Sequence, residues 1–142
     1  MSRENVEFVT RMVMRGDSAW RHGDEAELKA HIKEFFAREV VMRLVDAPAG
    51  RPQTFHGQEA TLSQWAAMTE VFDDFHRQVD EFVDAGEWVV TVGHWSGRGK
   101  ASGVVVKAPT ASAFRVRDGA VIEYIVGFPS KDAALEAVGR RA

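Results

Sequence analysis

Residues 88–128 read WVVTVGHWSGRGKASGVVVKAPTASAFRVRDGAVIEYIVGF, three strand-like runs in close succession. The first, Trp88 to Trp95, passes into a glycine-rich turn over Ser96 to Gly103; the second, Val104 to Val116, ends near Asp118-Gly119; the third, Ala120 to Phe128, stops at Pro129. Asp-Gly suits a two-residue type I′ hairpin, because both central positions need φ > 0. Apolar and β-branched runs joined by short turns predict an antiparallel meander, and the rest of the chain must supply what covers it.

Upstream, Val6, Val9, Val13, Gly16 and Trp20 alternate spacings of three and four. That is one stripe of a helix from Asn5 to His22, read as continuous although a mid-helix glycine costs about 1 kcal/mol against alanine. Gly23 ends it. Asp24 and Glu27 form a capping pair for a second helix, buried through Leu28, Ile32, Phe35 and Phe36. Val40 to Val45 reads as a strand with Val40, Met42 and Leu44 on one face, which Asp46 continues if the strand lasts. After a proline-containing loop and Phe55-His56-Gly57, the spacing of Leu62, Trp65, Met68 and Phe72 predicts a third helix from Gln58 to Asp74, with Asp73 and Asp74 solvated at its end. Phe75 to Asp84 reads as a further strand, and Ser130 to Gly139 as a short last helix closed by Gly139. Helices followed by a mainly antiparallel sheet make an α+β chain, expected as a single domain over residues 1–142.

Composition narrows the function. A chain of 142 residues buries roughly 68–70% of its unfolded surface. The net charge of −3, from 18 basic and 21 acidic residues, leaves no basic footprint, so nucleic acid is not an expected partner. Cysteine is absent, which excludes disulfides and thiol catalysis. No basic-then-apolar leader and no run near the ~18 residues of a membrane span are present, so a cytoplasmic protein without membrane contact is expected. The Gly97, Gly99 and Gly103 cluster lacks both the Lys-Ser/Thr and the following helix of a phosphate loop. No His or carboxylate pair has metal-ligand spacing on one element. Neither a cofactor nor a metal is expected.

Six short motifs then fall in register: Ala19-Trp20-Arg21-His22-Gly23-Asp24, Phe55-His56-Gly57, Asp74-Phe75, Glu81-Phe82-Val83-Asp84-Ala85-Gly86, Gly97 to Gly103, and Phe114-Arg115-Val116-Arg117-Asp118-Gly119. From Asn5 to Gly139 the chain resembles SnoaL-like members of the nuclear transport factor 2-like superfamily. The resemblance implies a cone: three N-terminal helices packed on a strongly curved mixed, mainly antiparallel sheet, a deep pocket, and often a homodimer through the outer sheet face. Members include ketosteroid isomerase, scytalone dehydratase, limonene epoxide hydrolase, polyketide cyclases and non-catalytic binding modules. Carried over position by position, the isomerase base falls near Leu44, its oxyanion tyrosine near Gly16 and its second oxyanion donor near Ser112. None of the three supplies that chemistry. The Asp-Arg-Asp set of the epoxide hydrolase is also missing, because Arg43 and Arg115 read as outward-facing.

Strand alternation selects the pocket face. Tyr124, Val126 and Phe128 are placed inward on the last strand, with Glu123 and Ile125 outward; Thr110, Ser112 and Phe114 inward on the middle one; Val89, Thr91, Gly93 and Trp95 inward on the first. Trp20, Phe36, Trp65 and Met68 close the hollow from the helices, and Leu44 from the early strand. The candidate catalytic groups are Asp46 as a base and Tyr124 as hydrogen-bond donor, assisted by Ser112 or Thr91. His56 is assigned a local structural hydrogen bond and His94 a subunit contact, while His22, His31 and His76 read as exposed. Two functions stay open. One is a pocket for a small apolar polyketide-, steroid- or terpenoid-like molecule, with isomerase- or cyclase-type proton transfer. The other is a non-catalytic dimeric module whose cone is filled by aromatics. Glu123 and Ile125 lining the hollow with Tyr124 and Phe128 turned outward, or an Asp–His couple at its floor, would contradict this picture of an oily cavity nearly free of ionisable groups.

Overall fold

The stripe from Val6 to Trp20 forms one helix, α1 (Ser2–His22), unbroken at Gly16. The structure, a computed structural model, describes residues 2–45, 50 and 53–141; Asp46 lies outside them. Asp24 accepts the Glu27 amide at 3.1 Å and starts α2 (Glu25–Phe35), which buries Leu28, Ile32 and Phe35. The Glu27 carboxylate takes the Ser18 hydroxyl, at 3.2 Å, so only half of a reciprocal capping box is made.

Phe36, expected on the face of α2, instead opens β1 (Phe36–Leu44): its amide closes the helix onto the Ile32 carbonyl and its own backbone is extended. The segment before the third helix contributes a short strand, β2 (Thr54–His56), paired antiparallel to β1. The third helix, α3 (Gly57–Val71), ends before the expected Asp74. Phe72 caps it by donating to the Met68 carbonyl, then enters β3 (Phe72–Ala85). The spacing from Met68 to Phe72 fits a helix, but the Phe72 ring packs on Trp95 and Phe75 of the sheet. Asp73 and Asp74 therefore belong to the strand, where Asp74 (φ 55°) sits in the register shift between Asp73 and His76.

The meander follows as β4 (Trp88–Gly99), β5 (Val105–Arg117) and β6 (Ala120–Phe128). β4 runs past Trp95 because Ser96, Gly97 and Arg98 stay paired with Lys107, Val106 and Val105. The hairpin at Asp118-Gly119 has positive φ at both positions, 53° and 73°. The sheet order is β2-β1-β6-β5-β4-β3. β1 pairs parallel to β6 and the other described pairings are antiparallel, giving the expected α+β cone with a mixed sheet.

The sheet has a core on each side. On the inner side Val9, Met12, Leu28, Ile32 and Trp65 of the helices meet Val40, Met42, Val89, Phe114 and Tyr124. On the outer side α4 (Lys131–Arg141) seats Ala134 and Val138 against Trp88, Val90, Ala111, Ala113, Ile125 and Phe128. It continues beyond Gly139, which does not close it, and it packs on part of the outer face of the sheet.

Phe128 thus lies outward, correcting its inward assignment. Phe114 pairs with Tyr124 and Ala113 with Ile125, but Ala111 pairs with Phe128. One extra residue is accommodated on β6 at this register shift, where Gly127 has φ 96°. A bulge of this kind exchanges the two faces for everything beyond it.

Candidate functional site

Between the helices and the inner sheet face lies a cavity of about 150 Å³. Trp20, Phe36, Leu44, Trp65, Met68, Phe114 and Val126 come together in its wall. Trp65 is the hub, with ring centroids 5.4 Å from Trp20 and 5.3 Å from Phe36. Phe114 stacks on Tyr124 at 5.5 Å and 6°.

Other assigned residues are not brought there. Thr91 and Ser112 pair with each other across β4 and β5 and are buried, but outside the wall. Trp95 is on the inner face yet stands behind Phe75, stacked at 5.7 Å, so Phe75 reaches the cavity in its place. Phe128 belongs to the outer core. Of Asp46, Ser112 and Tyr124, the structure places Tyr124 alone in the wall, Asp46 being outside the described residues.

Tyr124 is 2% exposed, and burial pushes its pKa well above the ordinary phenol range. Its oxygen accepts the indole N–H of Trp65. Indole N–H only donates, so in this pair the phenol must be the acceptor and its own O–H remains to be donated. Tyr124 lines the cavity, so this donor is available there.

The wall also holds ionisable groups, contrary to the sequence reading. His31, expected to be exposed, sits among Phe35, Phe36 and Trp65, and burial lowers its pKa from 6.5 to about 4 against the opposing charge of Glu34. It is therefore neutral at pH 7. Gly16 makes room for it: a Cβ at that position would lie 2.8 Å from His31 Nε2. The mid-helix glycine is a notch for an imidazole. Gly16→Ala should push the ring out of its niche and move the His31 pKa upward toward 6.5; an unchanged NMR titration of its ring protons would remove the notch.

At the cavity edge, Asp17 binds His76 Nδ1 through Oδ1 at 2.6 Å and Arg21 Nε through Oδ2 at 2.9 Å. This is an Asp–His couple, and it makes His76 partly buried rather than exposed. Arg77 of β3, paired with the inward Trp95, completes the polar part of the wall. Its Nε is buried without a hydrogen-bond partner, and burial lowers its pKa.

His31 and Arg77 both carried a readable signal. His31 belongs to the stripe Leu28, His31, Ile32, Phe35, and Arg77 stands two residues beyond the inward Phe75. Polar residues on an apolar stripe are easily assigned to its margin, and only burial separates margin from wall. His56 precedes α3 without a side-chain capping bond, contrary to expectation, and is exposed. His94 pairs with Asp80 at 3.5 Å.

Among the described residues, no group of three or more His, Asp or Glu is placed to hold a metal ion, and no helix is long and apolar enough to cross a membrane. Chemically, the wall offers a neutral imidazole able to accept a proton, and hydroxyl and guanidinium donors able to hold an oxygen on which negative charge develops.

The sequence pattern of a family described as SnoaL-like domain matches residues 9–124. No curated protein matches the chain. Solved structures do. A Catenulispora acidiphila protein with a ketosteroid isomerase-like fold, in complex with trimethylamine, superposes with TM-score 0.66 at 18% identity, over 90% of this chain and 92% of that one. A Jannaschia protein named as a SnoaL-like polyketide cyclase gives 0.71 at 19%, over 85% of each chain. An NTF2-like protein from Anabaena variabilis gives 0.71 at 14%, over 90% and 91%. At these identities the likeness shows the fold.

Proposed function

The chain belongs to the SnoaL-like domain family of the nuclear transport factor 2-like superfamily, and on that footing we propose that it binds a small, mainly apolar carbonyl compound and moves a proton on it without a cofactor. The observation that carries this is the Tyr124 hydroxyl, buried in an aromatic wall with its oxygen already satisfied by Trp65 and its hydrogen undonated. A cavity of about 150 Å³ takes a single six-membered ring, since an engineered cavity of about that size binds benzene. A four-ring steroid does not fit that volume, so the ligand is one ring or its acyclic equivalent.

His31 takes a proton from the carbon beside the carbonyl, the C–H pair moves to the oxygen as an enolate, and Tyr124 donates to that oxygen. The proton then returns to carbon. A second reading, a non-catalytic binding module, is favoured by the low basicity of a histidine whose pKa is about 4.

One experiment addresses both. Trp20 and Trp65 report binding of 2-cyclohexenone by fluorescence, and Tyr124→Phe is expected to weaken it about 3- to 10-fold, the worth of one neutral hydrogen bond. Unchanged affinity takes Tyr124 out of the site. Exchange of the α-protons for deuterium, followed by NMR and lost in His31→Leu, supports the enzyme; binding without exchange supports the module.

A further inference from the structure

We propose that the ligand of this cavity is an anion, a ring-sized carboxylate held by Arg77 beside Tyr124. The inference rests on the cavity being the ligand site and adds the charge of what enters it.

The carrying observation is an unmatched cation. Arg77 Nε is the one buried side-chain nitrogen or oxygen without a hydrogen-bond partner among the described residues. Among the other arginines, Arg21 pairs with Asp17, Arg43 with Glu123, and Arg115 and Arg117 with Glu87, while Arg11, Arg38 and Arg98 stand exposed to water. Arg77 has no ion pair among the described residues, although its Nε is buried and it stands in the cavity wall on the inner face of β3. A buried charge is ordinarily paired, because one left unpaired loses its hydration with nothing in return.

The internal candidate for that role is taken. Asp17 lines the same cavity, but its two oxygens are engaged by His76 at 2.6 Å and Arg21 at 2.9 Å. His31 is neutral at pH 7 and does not supply a countercharge. What remains facing the space is a planar fork of N–H donors whose geometry matches a carboxylate, and Tyr124, within electrostatic reach of it, supplies a further O–H. Folding has already taken Nε out of water, so part of the cost of pairing this cation is met before an anion arrives. A cation of the same size meets the same field with the opposite sign.

Three near-isosteric probes test this at pH 7 by tryptophan fluorescence: benzoate, benzaldehyde and benzylamine. Benzoate should bind roughly tenfold or more tightly than benzaldehyde, with benzylamine weakest, as expected for a hydrogen bond to a charged group. Arg77→Met should erase that advantage, benzoate and benzaldehyde binding the variant within about twofold of each other, and a cooperative urea transition shows that the variant is folded. Arg77→Lys should keep part of it. Benzaldehyde binding as tightly as benzoate, or benzoate indifferent to Arg77→Met, overturns the anion assignment and leaves the cavity reading standing. Failure of all three probes overturns both.

Discussion

Taking the protein from pH 7 to pH 4 should cost about 3 kcal/mol of stability through His31 alone. Burial holds this imidazole at about 4 in the folded chain, against 6.5 when unfolded. Below pH 6.5 the unfolded chain takes up a proton that the folded chain does not, so stability falls with falling pH. The loss is complete once the pH has passed through about 4 and the folded state is protonated too. Carboxylates titrate in the same range, so the comparison is of slopes. Urea denaturation between pH 7 and 4 should show a steeper loss for the wild type than for His31→Leu. Parallel slopes would mean that His31 is not buried neutral, and would remove it as a proton acceptor.

Trp65→Ala should be the most damaging single change in the cavity wall, at about 3–5 kcal/mol. Trp65 is 4% exposed and bridges α3 to α1 through Trp20, to β1 through Phe36 and to β6 through Tyr124. Truncation enlarges a cavity that already exists and leaves the Tyr124 oxygen buried without its donor. Against a typical total of about 5–15 kcal/mol, that leaves a marginal fold. Trp65→Phe keeps most of the packing and loses the N–H, so about 1–3 kcal/mol is expected from the unsatisfied phenol oxygen and the smaller ring. Denaturant midpoints separate the two; equal losses would assign the residue's contribution to the hydrogen bond instead of the packing.

The charged groups explain why chemistry was harder to read than architecture. Helix stripes and strand alternation describe where apolar residues go, and they placed α1, α2, the meander and the Asp118-Gly119 turn. They say nothing definite about a polar residue within a stripe. His31 and Arg77 are such residues, and both are in the cavity wall. Gly16 looked like a weak point of the helix because its partner lies on α2, fifteen positions away in sequence and 2.8 Å from where its Cβ would be. Phe72 looked helical because it kept phase with Met68, while its ring packs on Trp95 of a strand far downstream.

Local sequence alone therefore determined the α+β class, the order of the elements apart from β2 and the aromatic character of the lining, since periodicity, caps and turn residues act over a few positions, while the mixed cone was implied by the family resemblance. Tertiary structure decided the rest. The bulge at Gly127 sent Phe128 to the outer core, and the helix packing enclosed His31 and Arg77 with the free Tyr124 hydroxyl around one small space. The reason is the same in each case: register between strands and burial of a polar group depend on contacts distant in the chain, which no local pattern records.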